Sequence, residues 1–201
     1  FVATQISTTW AIMVAGVFLI GGGAWFLSCR EVGTVTIPPS RSKLGVVLNK
    51  PAVLLATVVG FLLIGAAAAV EVAVVSVFGE QGAQAGYVLA IWAFGSIIGG
   101  LALGGLPVGP WALATRMAVV FIGIALAGLI LDFWWISFAL LIAGAGIAPA
   151  LAVMFAIVSS SVKFSETAEA YGWMGSGQLV GAALGSAIAG FAIDGFGSLG
   201  G

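Results

Sequence analysis

Histidine is missing altogether from the 201 residues, and cysteine occurs once, at Cys29. Without an imidazole the chain holds no Ser-His or Cys-His pair for nucleophilic catalysis and no His-based metal site. A single cysteine excludes an internal disulfide. Charge is scarce as well: 6 Lys and Arg and 7 Asp and Glu make up only 6% of the residues. A soluble domain carries about 25% charged residues, which cover its water-facing surface; this chain has too few. The net charge of −1 provides no basic stripe to neutralise phosphates, so nucleic acid is not an expected partner. Phe1 is followed by no basic n-region and no small-residue cleavage site, so the start does not read as a signal peptide. An enzyme, a cofactor or a metal site is not expected.

Apolar residues are what the chain has in plenty. They account for 62% of it, with 31 glycines and a mean hydropathy of +1.25. About 20 apolar residues cross the hydrocarbon core as a helix, and within lipid the backbone has to satisfy its own hydrogen bonds. Six such runs stand out, near Trp10–Ser28, Pro51–Phe78, Gly86–Leu106, Trp111–Leu131, Trp134–Val162 and Thr167–Asp194. The alternating pattern of a membrane β-barrel is absent. The expected fold is therefore all-α, a polytopic membrane helix bundle.

The loops set its direction. Arg30, Arg41, Lys43 and Lys50 lie between the first and second runs, Arg116 between the third and fourth, and Lys163 between the fifth and sixth. All six basic residues thus fall on one side, which the positive-inside rule makes cytoplasmic. Glu80 and Asp132 lie in the opposite loops. Counting six crossings from there puts both ends of the chain outside, so earlier spans are expected on a longer protein. Residues 29–50, with Pro38 and Pro39, read as a cytoplasmic linker between a helix in residues 1–28 and a five-helix bundle in residues 51–201.

Glycines four apart (Gly95, Gly99 and Gly100 with Gly104; Gly177, Gly181 and Gly185) let helix backbones approach closely. Pro149 stands inside the fifth run, where it removes a backbone donor and bends the helix unless neighbours satisfy the freed carbonyl. Trp10, Trp111, Trp134 and Trp135 fall at span ends, as interfacial belt residues do.

Together these segments resemble a family. "GYVLAIWAFGSIIGGLALG" (86–104), "LLIAGAGIAPALAVMFAIVSSSV" (140–162) and "SETAEAYGWMGSGQLVGAALGSAIAGFAID" (165–194) are similar to helices eight, ten and eleven of major facilitator superfamily transporters. "GFLLIGAAAAVEVAVVSVFGEQGAQAG" (60–86) is similar to helix seven of bacterial efflux-type members. The resemblance makes the first run here the family's sixth helix and the later spans a major-facilitator-like C-terminal half. It implies a secondary active carrier for a small molecule, working by alternating access as proton-coupled efflux in a bacterial inner (plasma) membrane. Its expected partners are that substrate, protons, the lipid bilayer and the missing transmembrane helices of the same protein. A non-transporting scaffold or a channel subunit is the alternative, although no selectivity ring is visible. The sequence departs from the family where "GGLALGGLPVGP" puts Leu103 in place of the acid of a loop motif, which leaves Arg116 as a positive-inside anchor.

A few polar residues inside the spans carry the functional expectations. Glu71 is the one carboxylate in "AAAAVEVAVV" (66–75). An ionised side chain at the bilayer centre costs about 3 kcal/mol, and a short Glu stem snorkels poorly. On the resemblance, helix seven lines the central cavity, so Glu71 would bind a cationic substrate, take up protons, or both. Gln178 beside Ser176 in the sixth run either glues two helices together or orients substrate. Trp92 and Ser96, one turn apart, suit a cavity wall that holds planar or cationic ligands. Lys163, Glu166 and Glu169 cluster at a cytoplasmic turn, either as a solvated loop or as a gate whose ion pairs break as the halves rock. Ser159, Ser160 and Ser161 are expected to bond back to their own helix.

Overall fold

The computed structural model describes residues 8–30, 45–79, 83–105 and 108–196, and every element among them is helical. Six α-helices follow one another: α1 (Thr8–Ser28), α2 (Pro51–Phe78), α3 (Gln84–Leu103), α4 (Ala112–Ala127), α5 (Phe133–Ser161) and α6 (Thr167–Phe196), with short 3-10 turns at Val46–Asn49 and Phe164–Glu166. The all-α membrane-bundle reading therefore holds. α2, α3, α5 and α6 are long and apolar enough to cross a membrane. The chain divides into two units, Phe1–Pro39 and Ser40–Gly201. Most of the expected linker, with Arg41 and Lys43, lies outside the described residues.

The first unit contains α1, whose residues Val17, Phe18, Leu19 and Ile20 are all exposed. It is apolar on every side and has no polar stripe, which is how a helix solvated by lipid differs from one on a water-facing surface.

The second unit is held together by close backbone contacts. α2 and α6 run parallel, because Thr57 meets Gly177, Phe61 meets Gly181, and Gly65 meets Gly181 and Gly185. A Cβ at Gly65 would stand 2.9 Å from the Gly181 carbonyl oxygen, and one at Gly181 or Gly185 would overlap the carbonyl of Phe61 or Gly65. α3 and α5 pair in the same parallel sense, with Gly95 on Leu141 and Gly99 on Ala145. α4 lies antiparallel on the other side of α5, with Gly123 on Ala143 and Gly146 on Arg116 and Val120. Where the bundle is this thin, dispersion between backbones replaces the hydrophobic effect, which lipid does not supply.

Two apolar cores fill the ends of this unit. One gathers Val53, Ala56, Leu63, Met154, Val158 and Met174, and the other Val74, Phe78, Val88, Ile136 and Leu140; Ile124 and Ile147 pack against both. The alternating helix directions put Lys50, Arg116 and Lys163 at one end and Asp132 at the other, as the charge pattern requires.

Two expectations need correction. The fourth helix ends at Ala127 rather than near Leu131. Gly128 caps it, and the Asp132 carboxylate accepts from the backbone N–H groups of Trp134 and Trp135, starting α5 at once. At 16 residues α4 extends about 24 Å, short of the ~30 Å hydrocarbon core. Trp135 is not simply a belt residue either. It is half-buried, and its Nε1 donates at 2.7 Å to the Leu126 carbonyl in the last turn of α4, an oxygen that also accepts from the Leu129 backbone N–H. Trp10, Trp111 and Trp134 are exposed at helix ends, as a belt requires.

Candidate functional site

α2 carries Glu71 on an exposed position, and α3 faces it with Trp92 and Ser96. These three side chains line one cavity of about 260 Å³, together with Ile64 and Ala67 from α2, Leu89 and Ala93 from α3, and Ile147 from α5. Ligand pockets usually span about 300–1,000 Å³, so the space suits a small molecule or one part of a larger one. Its wall combines a single carboxylate, one hydroxyl and an indole with aliphatic surface. An acid in such a wall can attract a cation or take up a proton, and an aromatic face adds cation–π attraction.

Trp92 is 6% exposed, and its indole N–H meets no acceptor. The ring is held by α5: a Cβ at Gly144 would stand 2.9 Å from Trp92 Cδ1 and would overlap the Trp92 carbonyl. Glycine at 144 therefore decides how close Trp92 can lie to α5, and so where the cavity wall stands.

Gln178 and Ser176 are placed apart from this cavity. Gln178 packs into the α2–α6 seam against Gly60, where an added Cβ would stand 3.1 Å from its Cγ. Its Nε2 is buried without an acceptor, and Ser176 is exposed. A second cavity, about 280 Å³, lies between α2, α4 and α5 and is lined by Val70, Val74, Ile124, Ile136 and Leu140 among others. It presents no polar side chain and hence no recognition chemistry.

The charged cluster forms at the end where α2 and α6 begin. Glu166 Oε2 accepts from Lys50 Nζ at 2.6 Å and from the Lys163 backbone N–H at 3.2 Å. Glu169 Oε1 accepts from the Gly45 backbone N–H at 2.7 Å. Gly45 has φ +88°, a conformation that costs little only for glycine. The two acids at the start of α6 thus grip the turn that leads into α2. Lys163 contributes its backbone to this cluster, and its side chain is exposed. Lys50 and Gly45 are the partners that sequence reasoning missed. Each stands just before a helix, but nothing in the sequence announces that α2 and α6 are neighbours.

Arg116 lies at the end where the positive-inside rule puts it, and it is buried there, 8% exposed. Nη1 donates to the Pro149 carbonyl at 3.0 Å and Nη2 to the Leu103 carbonyl at 3.4 Å. The serines behave as expected: Ser159 donates back to Ala156, and Ser160 and Ser161 to Ile157.

A family model described as Major Facilitator Superfamily matches residues 1–186. No curated protein and no solved structure matches the chain.

Proposed function

The chain belongs to the major facilitator superfamily, and from that membership we propose that it moves a small cationic molecule outward in exchange for protons, by alternating access. Secondary transport and a multi-pass membrane setting come with the family. The cation, the proton and the outward direction are our reading. One observation carries it: Glu71, Trp92 and Ser96, from two helices, line the same cavity, and Glu71 is the one ionisable side chain there. The carboxylate serves as the shared site at which a proton and a cation exclude each other. Trp92 supplies an aromatic wall, and Ser96 a hydrogen bond. Gln178, with its open amide N–H at the α2–α6 seam, and Ser176 act on the substrate only if the seam parts during the cycle. Glu166 and Glu169, with Lys50 and the backbone of Lys163, form the cytoplasmic latch of this half. Residues 29–50 serve as the linker between residues 1–28 and the 51–201 bundle.

The experiment is counterflow in proteoliposomes with ethidium, a planar monocation, as the probe. Ethidium loaded inside accelerates entry of labelled ethidium through a carrier. Entry that is indifferent to the trans concentration indicates a pore and contradicts the proposal.

A further inference from the structure

Arg116 lies beside the one proline inside α5. Pro149 has no N–H, so the Ala145 carbonyl loses its ladder partner. That carbonyl lies against Gly99 of α3, where a Cβ would overlap it. The turn from Ala145 to Pro149 is therefore held from outside as much as by its own ladder. Gly99 closes it on one side. On the other lies Arg116, whose own carbonyl would stand 2.7 Å from a Cβ at Gly146.

The guanidinium is buried, and among the described residues its hydrogen-bond acceptors are carbonyl oxygens, with no carboxylate. Leu103 O belongs to the last turn of α3, where carbonyls lack partners and the helix dipole favours a cation. A planar guanidinium fork holds its donors in fixed directions toward acceptors on two helices at once, whereas an ammonium is a compact charge on a flexible stem. Arg116 accordingly joins the end of α3 to the proline turn of α5. That turn also carries Ile147, in the wall of the Glu71 cavity, and follows directly on Gly144, against which the Trp92 indole rests.

We propose that Arg116 is a positioning residue for the cavity: by bridging Leu103 O and Pro149 O it fixes the proline turn of α5, and through Ile147 and Gly144 it sets where the Trp92 wall stands opposite Glu71. The charge placed near the inner interface by the positive-inside rule thus acts on the cavity at a distance. The inference rests on the cavity described above and not on transport through it.

The test reads the cavity without a transported substrate. Ser96→Cys is introduced into the full chain on a cysteine-free background, and its labelling rate by 2-aminoethyl methanethiosulfonate is measured in proteoliposomes. Ser160→Cys, on an exposed serine, serves as the reference. Arg116→Gln changes the Ser96→Cys rate about fivefold, within the range known for residues that couple to a site without touching its ligand, and leaves Ser160→Cys unchanged. Arg116→Lys, which keeps the charge without the fork, changes it in the same direction, and is the variant to read if Arg116→Gln fails to fold. An unchanged Ser96→Cys rate in a monodisperse variant overturns the proposal. An equal change at Ser160→Cys also overturns it, because that reports general loosening. Failure of ethidium counterflow alongside a changed labelling rate would remove the carrier reading and leave this one standing.

Discussion

Lys50 and Glu166 meet at 2.6 Å although 116 residues separate them, and their side chains are 34% and 16% exposed. This pair, with the Gly45–Glu169 hydrogen bond, ties the starts of two parallel helices whose shared seam is otherwise mostly glycine and apolar side chains, with Thr57 and Gln178 as its polar members. The seam gives closeness, and the polar contacts give register at one end.

The first prediction concerns that pair. Lys50→Met and Glu166→Gln each lower the Tm of the detergent-solubilised protein. The double variant loses less than the two single losses combined, since residues in contact couple. Raising the salt concentration narrows the gap from the native protein, because part-exposed charges are screened. Additive losses would show that the two side chains act separately.

The seam makes the second. Gly181→Ala puts a Cβ into the Phe61 carbonyl, and overpacking of this kind costs about 1–3 kcal/mol. Gly175→Ala, on the same helix with nothing within 4 Å of the added Cβ, leaves stability unchanged or raises it, as alanine is the better helix former. Thermal unfolding of the two variants side by side checks the contrast.

The third concerns the α4–α5 corner. Trp135→Phe removes the donor to the Leu126 carbonyl and costs about 1 kcal/mol, seen as a lower Tm. Trp134→Phe, at an exposed position, has no such effect.

The spans were legible because lipid demands about twenty apolar residues in a row, and α2 runs from Pro51 to Phe78 as the sequence suggests. The end of α4 was not, because apolar Leu129, Ile130 and Leu131 continue past the point where Gly128 and the Asp132 cap turn the chain. Glycines four apart announced a close contact at Gly177, Gly181 and Gly185 but not its partner, since any bare helix face suits them. Glu71 drew notice as a charge within an apolar run, and Trp92 and Ser96 as polar groups one turn apart. That the three share one cavity depends on how α2 crosses α3, which no local pattern encodes. Arg116 was placed at the right end of its helix by the loop charges. Its depth follows from carbonyls on two other helices, Leu103 and Pro149, and the sequence does not bring those together.

Glu71→Gln tests the central claim most directly. In proteoliposomes with a trapped pH indicator, proton movement driven by an ethidium gradient is measured for the native protein and the variant. The account predicts that Glu71→Gln reduces ethidium-coupled proton movement at least tenfold, about 1.4 kcal/mol in the coupled step, and leaves the variant folded. Proton coupling that survives at the native level in Glu71→Gln would contradict it.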